Sequence, residues 1–290
     1  MRSIIVAILT LVLSCSGDKG GESRSQADAS TATSITIASW NLKNFGLTKL
    51  NDPARISVIV DILKQYDITA IQEIQNADQT LAPTLIGMMN TGGDNYNYVI
   101  SDRVGHTRQE QYLYIYNDDL IDAISGTGGY GHEPNNEFSR EPYYHMFRVG
   151  SFDFYLMSIH TDPDEVSIEV PALEMAFTYL QNGTANEHDI ILLGDFNAKA
   201  PGVSAGSYAI MDDLATISNM LFTINDETNT RGGRAYDNIL FQSNYTTEYM
   251  GEAGVSIFWV SFGLTEDEGF TISDHKPVWA KFVVSGTDDD

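Results

Sequence analysis

The 290-residue chain has one cysteine, Cys15, so no internal disulfide can brace its fold. Cations are scarce: 16 Lys+Arg stand against 40 Asp+Glu, a formal charge of −24. That scarcity excludes a protein that coats nucleic acid through a general basic field, because such binding rests on Lys and Arg neutralising phosphates. It leaves open an enzyme that grips one phosphate with a metal ion and a few arginines. Surplus acid also gives a solvated surface suited to salty media. Disorder is excluded by a composition 42% hydrophobic and 11% aromatic, and the length is ample for a buried core.

The apolar run Ile4–Leu13 is too short to span a bilayer as a mature helix. Preceded by Arg2, it suits a signal-peptide core. Its end, Val12-Leu13-Ser14-Cys15, resembles a bacterial lipoprotein box, in which cleavage before Cys15 leaves a lipid-modified N-terminus. Residues 1–14 are therefore expected to be a signal peptide and the protein to be exported, as an envelope lipoprotein or in secreted form. The mature charge would be 15 − 40 = −25. Residues 16–34, rich in Gly, Ser, Asp and Thr without apolar periodicity, read with Cys15 as an anchor and tether. Such a tether has a root-mean-square reach of roughly 25 Å. One catalytic domain is expected over 35–285, with an acidic tail at 286–290. The expected state is a monomer that touches membrane only through Cys15.

Within the domain, strands outnumber helices. Ile35–Trp40, Ile68–Ile71, Tyr96–Ile100, Gln111–Tyr116, Phe152–Ile159, Ile190–Leu193, Ile239–Phe241 and Val278–Val284 read as strands, the apolar runs among them as central ones. Asp52-Pro53 is a helix-start signal, and Ile56, Ile59, Val60 and Leu63 recur on one helical face. Further helices are expected around Leu81–Met89 and Leu173–Leu180, and a long Gly- and Asn-rich loop over 125–141. A two-sheet sandwich with flanking helices fits this order.

Polar residues capable of chemistry sit at the ends of those strands. Asn41 follows the first, Gln72-Glu73 the second, His160 the strand from Phe152, and Asp195 and Asn197 the run from Ile190. Asp274-His275 precede the last. Any one of them alone is an ordinary turn former or helix cap. Together they supply oxygen ligands for one metal plus acid and base groups.

SWNLKNFG, IQEI, SIHTDPDE, LLGDFNA, RAYDNIL and SDHKPV, in this order over residues 35–283, resemble the endonuclease/exonuclease/phosphatase superfamily, and within it the deoxyribonuclease I branch. The resemblance implies a four-layered α/β sandwich and metal-dependent hydrolysis of phosphate esters. Carried over by position, Glu73 and Asp274 would hold the cation with Asn41 nearby, an oxygen set that suits Mg²⁺ or Mn²⁺. His275 would be the base-side histidine, with Asp237 as its carboxylate, and His160 the second, paired with Glu110, while which of the two gives the proton and which takes it stays open. Asp195 and Asn197 would flank the scissile phosphate.

The same resemblance points to DNA as substrate, cut to leave 5′-phosphate ends. Arg140, within FSREP, would contact a DNA phosphate, with Arg108 and Tyr236 also binding substrate. Arg103, Arg108, Arg140, Arg231 and Arg234 could form a local basic rim. Gln75 stands where the branch has a groove-reading arginine. Asp226, Thr228 and Thr230 match the spacing of a structural Ca²⁺ loop, and equally that of a polar hairpin turn. Two alternatives stay open: a phosphodiesterase of the same fold acting on lipid headgroups or small phosphoesters, and an inactive surface binding module. The set Glu73, His160, Asp195, Asp274 and His275 argues against the second.

Overall fold

The computed structural model describes residues 32–106, 108–184 and 187–286. The signal run, Cys15, nearly all of the tether and the last four residues of the tail lie outside them. No helix among the described residues is long and apolar enough to cross a membrane.

The chain begins with β1 (Ser34–Phe45), a short α1 (Leu47–Leu50), α2 (Pro53–Leu63), β2 (Ile68–Ile74), α3 (Leu81–Met89), β3 (Tyr96–Ile100) and β4 (Gln111–Asn117). Short strands β5 (Asp122–Ala123) and β6 (Gly129–Tyr130) lead to the hairpin of β7 (Tyr143–Val149) and β8 (Phe152–His160). Next come α4 (Val166–Gly183), β9 (Ile190–Asp195), the pair β10 (Ala198–Lys199) and β11 (Ala209–Ile210), then β12 (Met220–Phe222) and β13 (Asp237–Gln242). The chain closes with β14 (Tyr249–Val255), α5 (Phe258–Ser261), α6 (Glu266–Ile272) and β15 (Val278–Val283).

Two large mixed sheets result, ordered β14-β15-β1-β2-β4-β3 and β12-β13-β9-β8-β7-β5. Their facing sides share one core, including Ile37, Tyr114, Phe147, Phe154, Leu193, Ile239 and Phe282. The outer face of the first sheet packs on α1, α2, α3 and α5 through Trp40, Ile59, Leu85 and Phe258. That of the second packs on α4 through Leu173, Ala176 and Phe177. This is the four-layered α/β sandwich expected from the sequence. Because central strands are buried on both faces, they are apolar throughout rather than alternating, as Ile190–Leu193 shows.

Local chemistry explains the boundaries. Asp52 caps α2 by accepting from the Ala54 and Arg55 amides at 3.1 and 3.2 Å, and Pro53 supplies the preset first turn. Thr265 and Glu268 form a reciprocal capping box on α6. Gly194 has φ +141°, and a Cβ there would lie 2.0 Å from the Ile159 carbonyl oxygen, so no other residue fits between β8 and β9.

The strand directions gather the chemistry at one edge. β1 runs parallel to β2, and β8 to β9, whereas β4, β13 and β15 run against their neighbours. The C-terminal parts of β1, β2, β8 and β9 therefore meet the starts of β4, β13 and β15. The elements β7, β14, α5 and α6 were not expected from the sequence.

Candidate active site

Two carboxylate-backed histidines face each other across that edge. His160, ending β8, has Nδ1 2.9 Å from Glu110 Oε2, just before β4. His275, just before β15, has Nδ1 2.8 Å from Asp237 Oδ2 at the start of β13. In each pair the carboxylate fixes the ring so that Nε2 projects into the site. Both Nε2 atoms point at Asp195 Oδ2, from 3.8 Å for His160 and 3.5 Å for His275. Asp195 Oδ2 also accepts from Asn41 Nδ2 at 3.0 Å, and its Oδ1 accepts from the Asn197 amide at 3.0 Å. Asn197 is itself held by donating from Nδ2 to the Thr161 carbonyl at 2.9 Å. Asn41, Glu110, His160, Asp195, Asn197, Asp237 and His275 are all buried, so their charges act on one another with little screening.

The electrostatics follow from that burial. Desolvation disfavours the His275 imidazolium, but Asp237, Asp195 and Asp274 overcome it and push the ring up to about 10. His160 is also raised: burial and Arg140 oppose its charge, while Glu110 and Asp195 favour it. Burial alone would raise Glu110, yet His160 and Arg140 hold it below the usual carboxylate range. The carboxylates around His275 thus favour its imidazolium form.

The residues expected to hold a cation lie beside this pair. Glu73 Oε1 is 4.0 Å from His160 Nε2, and its Oε2 accepts from the Asn44 amide at 2.7 Å. Three non-glycine residues here, Lys43, Asn44 and Glu73, have positive φ of 34°, 50° and 61°. Such backbone is costly and persists only where its surroundings enforce it. Asp274 Oδ1 is buried without a hydrogen-bond partner, and Oδ2 receives the Lys43 ammonium. An orphaned buried carboxylate oxygen near a second carboxylate is the kind of donor a hard divalent cation takes. One ligand atom each from Asp195, Asp237 and His275 also lie within 4.8 Å of one another. There, however, Asp237 and His275 already satisfy each other.

Several residues fall elsewhere than the sequence suggested. Arg140 does not stand on the surface: it is buried, donating from Nε to the His160 carbonyl at 3.0 Å and lying 3.8 Å from Glu110 Oε2. Arg108 is exposed and bonds Asn44 and Gln75, beside Glu73. Arg231 is neutralised by Glu266 and Asp267. The hydroxyls of Thr228 and Thr230 are already committed: Thr228 donates to Asp237 Oδ2 at 2.6 Å and Thr230 to the Ser273 carbonyl at 2.8 Å. They brace His275, while Asp226 lines a polar cavity with Glu227 and Lys276. Tyr236 is buried with its ring 6.0 Å from His275.

Two lysines escaped the sequence reading. Lys43 lies two residues after Asn41, where the left-handed backbone breaks the strand alternation and the side chain turns to pair with Asp274. Lys49 carried no local signal either. It is buried and donates to the carbonyls of Leu42, Lys43 and Ile272 at 2.7, 2.8 and 2.5 Å, tying the end of β1 to the end of α6.

A comparison with known proteins agrees with this architecture. Residues 38–275 match the endonuclease/exonuclease/phosphatase family, and the chain belongs to that family, in its deoxyribonuclease I-like branch. Human deoxyribonuclease gamma is 29% identical over 263 residues, 86% of each chain. Human deoxyribonuclease-1 is 30% identical over 261 residues, 85% of this chain and 92% of its own. Among solved structures, an AP endonuclease from Archaeoglobus fulgidus has the same fold at 13% identity, with a TM-score of 0.60 over 86% of this chain and 99% of its own.

Proposed function

We propose that this protein is an exported, metal-dependent endonuclease that hydrolyses phosphodiester bonds of DNA to leave 5′-phosphate ends. The observation that carries the reading is the pair of carboxylate-backed imidazoles whose Nε2 atoms converge on one oxygen of Asp195. The similarity to deoxyribonucleases along most of the chain supports DNA as the substrate. Export and lipid attachment at Cys15 rest on the N-terminal sequence alone.

Glu73 and Asp274, with Asn41 beside them, would hold Mg²⁺ or Mn²⁺. When bound, such an ion neutralises a phosphate oxygen and the charge growing on the leaving group. Asp195 aligns a water and takes its proton as the water oxygen bonds to phosphorus. The P–O3′ bond breaks, and the 3′ oxygen takes a proton from the His275 imidazolium. His160, facing the same space, stabilises the added negative charge, and the Asn197 side chain, with one Nδ2–H beyond its bond to Thr161, donates to it. Glu110 and Asp237 never touch substrate; they keep each imidazole oriented and charged.

The test is direct. The protein should nick supercoiled plasmid in Mg²⁺, lose that activity in EDTA, and leave RNA and sphingomyelin largely intact. Its products should accept a 5′ label from kinase only after phosphatase treatment. Hydrolysis of sphingomyelin with intact plasmid would instead favour the lipid-headgroup reading.

A further inference from the structure

Helix α4 carries a buried carboxylate that the chemistry above leaves unused. Glu169 is fully buried, at the head of a stripe with Leu173, Ala176 and Leu180, whose other members are apolar and pack on the second sheet. Spacings of four, three and four residues place all of them on one helical face. An apolar residue at the head of that stripe would extend the core, so a carboxylate there needs specific bonds to offset its burial. Glu169 has two. Its Oε1 accepts from the Ser139 amide at 2.7 Å, and its Oε2 from the Asp162 amide at 2.9 Å. Burial raises its titration point, while the two amides and the charge of Arg140 oppose that rise.

Each amide belongs to a segment that holds part of the site. Ser139 precedes Arg140, whose Nε donates to the His160 carbonyl at 3.0 Å and lies 3.8 Å from Glu110 Oε2. Asp162 follows Thr161, whose amide donates to the Asp195 carbonyl at 3.0 Å. The Thr161 carbonyl accepts from Asn197 Nδ2 at 2.9 Å. The first segment leads into β7 and the second leaves β8, and those two strands pair with each other. One carboxylate therefore clamps the open end of the hairpin whose last residue is His160.

We propose that Glu169 is a positioning residue for phosphodiester hydrolysis. It touches neither the substrate nor the reacting groups. By clamping Ser139 and Asp162 it fixes Arg140 behind His160, and it fixes the Thr161 carbonyl to which Asn197 is tied. Both side chains then meet the phosphate already oriented. The role rests on the hydrolase reading above but not on DNA being the substrate, because it concerns the reacting phosphate alone. Glutamine cannot take it over in full: its oxygen accepts one amide, while its NH₂ group meets the other N–H, donor against donor.

The experiment compares the full chain with its Glu169→Gln and Glu169→Leu variants on duplex DNA and on bis(p-nitrophenyl) phosphate, each assayed below its measured Tm. Glu169→Leu continues the apolar stripe and removes both bonds. Turnover should fall about tenfold in Glu169→Gln and about 100-fold in Glu169→Leu, with KM within about twofold of wild type. The loss should be the same on both substrates, because it lies in the reacting geometry and not in the grip on the strand. Wild-type kcat in a folded variant, even one of lowered Tm, or a loss carried by KM, overturns the positioning role. Should Glu169→Leu fail to fold, Glu169→Gln decides by the same criteria. A wild-type protein that splits the ester yet leaves DNA uncut overturns the nuclease reading, and the ester then still decides the role of Glu169.

Discussion

Asp237→Asn replaces the carboxylate behind His275 with an amide of the same shape, and so removes charge while disturbing little else. Asp237 Oδ2 now accepts from both His275 Nδ1 and Thr228 Oγ1, and an amide oxygen can accept the same two bonds. The cost in packing is one amide group placed where Oδ1 is buried without a partner, on the order of 1–3 kcal/mol of stability. The electrostatic effect is larger for catalysis. Opposite charge in contact shifts a titration by about 1–3 pH units, so losing it should bring His275 down by about 2, equivalent to about 2.7 kcal/mol. Asp195, 3.5 Å from Nε2, keeps the fall from being complete.

The sign is fixed by the role. If His275 gives a proton to the 3′ oxygen, activity needs the imidazolium and is lost as pH rises through its titration point, at about 10 in the wild type. In Asp237→Asn the alkaline limb of kcat/KM should therefore move down by about 2 pH units, so that the rate at pH 9 falls roughly tenfold relative to the rate at pH 7. NMR titration of the His275 ring proton, assigned with His275→Gln, should follow the same displacement. A limb that stays in place, or a variant whose rate at pH 9 relative to pH 7 matches that of wild type, would refute the donor role.

Glu73→Gln keeps the shape of the proposed cation corner but removes a charge, so activity should collapse and the Mg²⁺ needed for half-maximal rate should rise at least ~10-fold; an unchanged Mg²⁺ requirement would exclude Glu73 as a ligand. Lys49→Met should weaken Mn²⁺ binding by about 10–100-fold in calorimetry, because it unties the Asn41–Asn44 turn from the segment carrying Asp274; unaltered affinity would mean the tie is not needed. Gly194→Ala should cost at least ~3 kcal/mol in denaturant unfolding, since its Cβ would overlap the Ile159 carbonyl at a positive φ, and a cost below 1 kcal/mol would show that β8 and β9 can part there.

The strand ends were legible because a strand buried on both faces must be apolar until it reaches its rim, so the first polar residue marks where solvent or substrate begins. That logic located Glu73, His160, Asp195 and Asp274 without knowledge of the fold. Pairings were another matter. Glu110 and His160 lie 50 residues apart, and Asp237 and His275 38 apart, separations that no local pattern encodes; only the family resemblance paired them. β14 escaped notice because YMGEAGV lacks alternation and carries two glycines, and its pairing with β15 supplies the order its own sequence does not. The support that Arg140 and Thr228 give the histidines was hidden for a shared reason: each sits in a surface-like polar segment, yet the sheet edge folds it inward.

Composition misleads in the same way when it is used to exclude a polyanionic substrate. Screening confines charge effects to about 8 Å at physiological ionic strength, so the −24 of the whole chain is largely unseen at the site. What a phosphate meets there is local. Glu110 and Asp237 are offset by the imidazoles they hold, and Asp274 by Lys43. Arg140 lies behind His160, while Arg108 and Arg234 flank the edge on the β4 and β13 sides. Acid elsewhere on the surface then affects approach rather than grip, and it favours release of a product that carries one more negative charge than the substrate.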